Sequence, residues 1–85
     1  MRFGNRFVGT GKGAFARGLR LARQGRLQRA VSAFDEALRA DPRNAACYDA
    51  RGKAYVLLKK LSRALEDFNR ALELAPQQAE YYNNR

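Results

Sequence analysis

Three glycines surround a lysine near the start of the chain, in the stretch RFVGTGKGAF at residues 6–15. Such a stretch suggests a phosphate-binding loop, where backbone N–H groups, a lysine and a hydroxyl converge on one phosphate chain. The spacing does not fit that motif, because Arg6 stands where its first glycine belongs and Gly13 stands where its hydroxyl belongs. No apolar strand precedes the loop. The stretch therefore does not predict a nucleotide site.

The other residue types offer little catalytic chemistry. The chain has no histidine, which removes the commonest acid–base residue and metal ligand. Its single cysteine, Cys47, excludes an internal disulfide framework and fits a reducing compartment. Nothing resembles a nucleophile with its base, a carboxylate pair for acid–base work or a metal cluster. We therefore expect a protein that is not an enzyme, with no catalytic residue, no metal and no cofactor.

Length and composition indicate a small folded domain. The chain has 85 residues, of which 46% are hydrophobic, and this share is too high for a disordered chain. No apolar run approaches the roughly 20 residues that span a bilayer, so we expect no membrane partner.

The charge is unevenly placed. The net charge is +9, yet no acidic residue occurs before Asp35, and the segment after that point is almost neutral. Such asymmetry suggests an acidic partner or an import signal at the N-terminal end.

An internal repeat predicts the fold. The segments RAVSAFDEALRADP (29–42) and RALEDFNRALELAP (63–76) align, and their prolines, Pro42 and Pro76, lie 34 residues apart. Within 63–74, apolar residues recur at i, i+3, i+4 and i+7, and residues 46–58 place their large side chains on nearly one face. This spacing predicts a helical hairpin in each unit, with helices at about 14–24 and 28–40 in the first.

The repeat resembles the tetratricopeptide family, which has a 34-residue period. The second unit carries the family pattern through Tyr48, Gly52, Tyr55, Ala64, Phe68, Ala71 and Pro76, and the first keeps Gly18, Ala30, Phe34, Ala37 and Pro42. Both units have an arginine, Arg17 or Arg51, where the family usually has leucine. The resemblance implies an all-α superhelix of tandem antiparallel hairpins. Its units are 11–44, 45–78 and the start of a truncated third at 79–85, after a flexible, basic, glycine-rich lead-in at 1–10.

The resemblance also implies a function. Domains of this family bind peptide segments or helices of other proteins in a concave groove lined by the first helix of each hairpin. Matched position by position, the groove residues here are Phe15, Leu19, Arg23, Asp49, Lys53, Val56, Leu57 and Asn83, with Lys12, Ala22, Ala46 and Glu80 beside them. The alternative is that the apolar ones only pack against adjacent helices. We expect a scaffold or adaptor that binds another protein.

One subclass of the family is excluded by its residues. It grips the acidic C-terminal tail of heat-shock chaperones with lysine, asparagine and arginine side chains, and the matching positions here are Phe15, Leu19, Ala50, Glu80 and Asn84. Because that polar clamp is missing, we expect no binding of a chaperone tail.

Arg17, Arg20 and Arg23 form a skewed basic stripe on the first helix. A solvated helix face, a site for an acidic protein tail or filament, an RNA site and a mitochondrial import sequence all remain open. The expected location is intracellular and cytoplasmic, with mitochondria as the alternative.

The last predicted helix has an open side. Its apolar residues, Leu65, Phe68, Leu72 and Leu74, have only seven residues of a third unit to cover them. Two units are fewer than the roughly three that such arrays need for stability. We therefore expect a piece of a longer array, and self-association of the isolated chain through this face.

Overall fold

The structure, a computed structural model, describes residues 3–74, with the side chains of residues 11–74. It consists of four helices: α1 (Phe3–Arg23), α2 (Leu27–Ala40), α3 (Ala45–Leu57) and α4 (Leu61–Leu74). Within that range no strand occurs. Helix α1 packs against α2, α3 against α4, and α2 against α3. The predicted fold class, tandem antiparallel helical hairpins, is confirmed.

Helix α1 begins earlier than the sequence suggested. It starts at Phe3, well before residue 14, so the backbone of residues 3–10 is helical where we expected a flexible lead-in. No proline interrupts this stretch, and a helix that is already anchored extends at the cost of one residue per added hydrogen bond. The packing of α1 against α2 extends to Gly11, because a Cβ built on Gly11 would lie 3.4 Å from the Cβ of Ala40.

Each hairpin closes over a glycine. The aromatic ring of Phe34 in α2 lies directly on Gly18 of α1, and the ring of Phe68 in α4 lies on Gly52 of α3. A Cβ at Gly52 would come within 2.7 Å of the Phe68 ring, which is closer than real Cβ atoms approach. Glycine at these two positions is therefore what lets the paired helices meet.

The core lies where α1, α2 and α3 meet, around the fully buried side chains of Phe34 and Cys47. The thiol of Cys47 donates a hydrogen bond to the backbone carbonyl of Phe34, with a sulfur–oxygen distance of 3.6 Å. Asn44 fixes the start of α3, since its side-chain oxygen accepts from the Cys47 N–H at 3.0 Å. The same short segment thus begins the second hairpin and joins it to the first.

The turns between paired helices need a left-handed residue. Gly25 has φ of 81° in the first hairpin, and Lys59, one repeat later, has φ of 64°. Only glycine adopts this region without a steric penalty. The second unit therefore carries backbone strain that the first avoids.

One face of α4 is exposed, as the sequence predicted. Leu65 and Leu72 are 60% and 52% exposed, whereas Leu38, which α3 covers one repeat earlier, is 7% exposed. Phe68 and Leu74 are only partly buried. Residues 75–85, which include the start of the predicted third unit, lie outside the described part of the chain.

We predict that Gly18→Ala lowers the free energy of unfolding by about 1–3 kcal/mol, because the new methyl group overlaps the buried Phe34 ring. Gly13→Ala, in the same helix, is the control, since a Cβ there meets nothing within 4 Å. It should be neutral or stabilise by up to about 1 kcal/mol. Urea denaturation followed by circular dichroism measures both, and equal effects would contradict the close packing.

We also predict that Lys59→Gly stabilises the fold by about 0.5–1 kcal/mol, because glycine relieves the left-handed backbone at that turn. Gly25→Ala is the reciprocal variant and should destabilise by a similar amount. A loss of stability in Lys59→Gly, in the same denaturation experiment, would show that the turn is not strained.

Candidate functional site

A groove runs between α1 and α3, with α2 as its floor. It encloses a cavity of about 260 Å³ whose lining is mostly apolar. The ring of Phe15 packs against that of Phe34 in a tilted arrangement, with ring centroids 6.0 Å apart and planes at 51°. The lining residues are Phe15, Leu19, Ala22, Leu27, Phe34, Ala46, Asp49, Ala50, Lys53, Ala54 and Leu57. Helices α1 and α3 supply most of them, which is the arrangement that the repeat predicted.

The structure brings together most of the predicted groove residues. Of the eight, five line the cavity, and they are Phe15, Leu19, Asp49, Lys53 and Leu57. Arg23 and Val56 are exposed and do not line it. Asn83 lies outside the described residues, as do Glu80 and Asn84.

Four lining residues were not among the sequence-predicted groove positions. Ala50 and Ala54 follow the predicted Ala46 at four-residue spacing, so the helical period could have indicated them. Leu27 and Phe34 come from α2 and line the groove because part of α2 is accessible between α1 and α3. Only the packing of the hairpins reveals this contribution.

The α3 side of the groove carries a charge pair. The Lys53 Nζ and Asp49 Oδ2 atoms lie 3.4 Å apart, one helical turn from each other. Such exposed pairs contribute little to stability. The pair therefore leaves this side nearly neutral and free to rearrange around a ligand.

Arg51 holds α3 in place on the side away from the groove. Its guanidinium donates two hydrogen bonds to Asp67 of α4, at 2.9 and 2.7 Å, and one to Asp35 of α2, at 2.7 Å. It also lies against the rings of Tyr48 and Tyr55, with its Cζ 5.6 and 5.7 Å from their centroids. One side chain thus ties together three helices.

The carboxylates keep Arg51 charged. The two hydrogen bonds that Arg51 donates to Asp67, and then the one it donates to Asp35, raise the pKa of Arg51 above its usual value against the opposing effect of burial. Asp67 is the most buried acidic residue of the described range, with a side chain 5% exposed. Its charge is compensated by the guanidinium, which makes the cluster a fixed joint rather than a reactive site.

Cys47 offers no reactive thiol in the folded protein. Burial raises the pKa of the Cys47 thiol to about 12, since the charged form loses solvent. The nucleophilic form of cysteine is the thiolate. Cys47 is therefore a small core residue in this structure.

The basic stripe is not one uniform surface. Arg17 forms an ion pair with Glu36 of α2, with 2.6 Å between Nη2 and Oε1. Arg20 and Arg23 are exposed, and neither has an ion pair within the described residues. Among the side chains that the structure describes on α1, the basic ones without an ion pair are Arg20 and Arg23 in its last turn and Lys12 near its middle.

Residues 3–74 offer neither a metal site nor a membrane span. No group of histidine, cysteine and acidic side chains there could hold a metal ion. None of the described helices is long and apolar enough to cross a bilayer.

The comparisons with known proteins agree with the geometry. A family model described as tetratricopeptide repeat matches residues 15–79, which is most of the chain. A comparison with curated proteins found no match to this sequence.

We predict that Arg51→Met lowers the free energy of unfolding by about 3 kcal/mol or more, because it leaves Asp67 buried without its partner. Arg17→Met is a matched control at the same position of the first repeat. Its ion pair has side chains 44% and 46% exposed, so its loss should cost no more than about 1 kcal/mol. Equal losses in a urea titration would contradict the role given to Arg51.

Proposed function

The chain belongs to the tetratricopeptide repeat family, and on that premise we propose that it is a non-catalytic module that binds a peptide or helix of another protein in the groove between α1 and α3. Repeats of this family generally mediate protein–protein interaction. The finer assignment to this groove, and to an adaptor or scaffold, is our proposal.

The observation that carries the proposal is the mostly apolar cavity between the two first helices. Leu57 is 64% exposed and Leu19 38%, although both line it. Leucines left open beside a concave apolar surface indicate a site that a partner covers. If these residues only packed against the helices of the described range, they would be buried.

The same surface does not support catalysis. The one carboxylate that lines the cavity, Asp49, is paired with Lys53, and the thiol of Cys47 is buried in the core. We therefore propose a binding module that is not an enzyme and needs no cofactor. A cytoplasmic location, with mitochondria as the alternative, stays part of the proposal.

The polar clamp for a chaperone tail has no counterpart on this surface. Phe15, Leu19 and Ala50, at three of the clamp positions, are apolar and line the cavity. We therefore propose partners other than chaperone tails.

A second surface supports self-association of the isolated chain. Leu61, Leu65 and Leu72 are all more than half exposed along α4. A continuous exposed leucine face of this kind marks an association surface. We propose that a second copy covers it when nothing else does.

Binding of RNA or another acidic polymer through Arg17, Arg20 and Arg23 is the alternative function. It is less supported, because Arg17 is already paired with Glu36. It would also be recognised by a steep loss of affinity with salt.

We predict that Leu57→Ser abolishes the binding of peptides selected from a random library on the wild-type domain, because it removes an apolar wall of the groove. Leu65→Ser is the matched control, since Leu65 is 60% exposed but lies on α4 outside the groove. It should leave peptide binding unchanged and reduce self-association, as measured by calorimetry and light scattering.

Selected peptides that bind Leu57→Ser as tightly as wild type would contradict the groove assignment. A dimer that persists in Leu65→Ser would contradict the α4 face as the self-association surface.

A further inference from the structure

We propose that the partner segment of the groove has apolar anchors flanked by acidic side chains on its α1 side, an inference that rests on the groove function proposed above. The surface combines an apolar cavity with a rim whose two sides differ in charge. The chemistry of the partner follows from both features.

The cavity requires apolar anchors. Its walls are Leu19 of α1 and Leu57 of α3, and its base is formed by Phe15. Among the side chains of residues 11–74, the charged ones that line it are Asp49 and Lys53, which pair with each other. A partner gains affinity by burying leucine-like or phenylalanine-like side chains here, because the alanines around them leave space and offer no hydrogen bonds.

The α1 rim is positively charged. Lys12 precedes Phe15 by one helical turn, and Arg23 follows Leu19 by one turn, so both lie beside the lining residues on the helix surface. Both are exposed, and neither has an ion pair within the described residues. No acidic residue occurs before Asp35, so no local sequence neighbour compensates these charges.

The α3 rim differs, and this difference orients the partner. Lys53 is paired with Asp49, so this side presents little net charge and one carboxylate. An acidic side chain of the partner is attracted to Lys12 and Arg23 and repelled by Asp49, because like charges at close range repel. It therefore contributes more binding energy on the α1 side. The acidic flank of the partner should therefore face α1.

A nucleic acid fits the surface less well. Single strands bind where exposed aromatic rings stack on bases within a positive groove. The exposed large hydrophobic residues of the described range are all aliphatic, and Tyr48 and Tyr55 are buried. The rim thus has the positive charge that attracts a polyanion, but the described residues include no exposed aromatic ring on which bases could stack. This favours an acidic polypeptide segment over a nucleic acid.

The test uses three helix-forming peptides of about twelve residues, with leucines at i, i+4 and i+7 and the other positions filled with Glu, Gln or Lys. Titration into the labelled domain, followed by NMR, should shift the Lys53 and Leu57 signals. The Glu peptide should bind about tenfold more tightly than the Gln peptide, and the Lys peptide should bind most weakly. The advantage of the Glu peptide should fall as salt is raised.

A charge-reversal variant makes the test specific. In Lys12→Glu/Arg23→Glu the order should invert, so that the Lys peptide binds more tightly than the Glu peptide. Arg43→Glu/Lys60→Glu is the matched control with the same net charge, since both side chains are exposed and neither lines the groove. It should change the affinity for the Glu peptide by less than about twofold, as expected for screened distant charges.

Three results would overturn the inference. Equal affinities for the three peptides, with shifts at Leu57, would leave the groove function intact and remove the acidic preference. The absence of any shift at Lys53 and Leu57 would contradict both proposals. Tighter binding of an oligouridylate than of the Glu peptide, lost in Lys12→Glu/Arg23→Glu but not in Leu57→Ser, would replace the protein partner with a polyanion.

Discussion

The ion cluster at Arg51 is the interaction on which the arrangement of the two hairpins depends. Arg51 of α3 binds Asp67 within its own hairpin and Asp35 on the preceding one, while two tyrosine rings enclose it. A planar guanidinium with fixed donor directions suits such a three-way contact. It therefore links α2, α3 and α4 at once, and α2 in turn packs against α1. The groove lies between α1 and α3 of this arrangement.

The two repeats share a sequence register but differ in what each arginine and each second helix contacts. Arg17, one repeat earlier than Arg51, reaches only Glu36 at the surface. Leu38 is covered by α3, whereas Leu72, one repeat later, is exposed. The first unit thus has a basic helix with only Arg17 in an ion pair among its described side chains, and the second has an exposed apolar face. In our proposal, each of these two surfaces contacts another polypeptide.

Much of the fold could be predicted, because the sequence repeats the same residue types every 34 positions and places apolar residues at helical spacing. Gly18 and Gly52, which belong to the family pattern, lie at the close helix contacts, and five of the eight predicted groove positions line one cavity. The early start of α1 was not predicted from the sequence, since glycine lowers helix propensity without forbidding a helix. The contacts of Arg51 were not predicted either, because pairing across three helices depends on tertiary geometry. The same holds for the left-handed backbone at Lys59, where the turn imposes a conformation that lysine does not favour.

A double-mutant cycle between Arg51 and Asp67 tests the central claim most directly. The free energies of unfolding of Arg51→Met, Asp67→Leu and the double variant are compared with wild type. If the cluster is the joint between the hairpins, the two sites should couple by about 2 kcal/mol or more, and the double variant should be more stable than Arg51→Met alone. Additive losses, with a coupling energy near zero, would contradict the account.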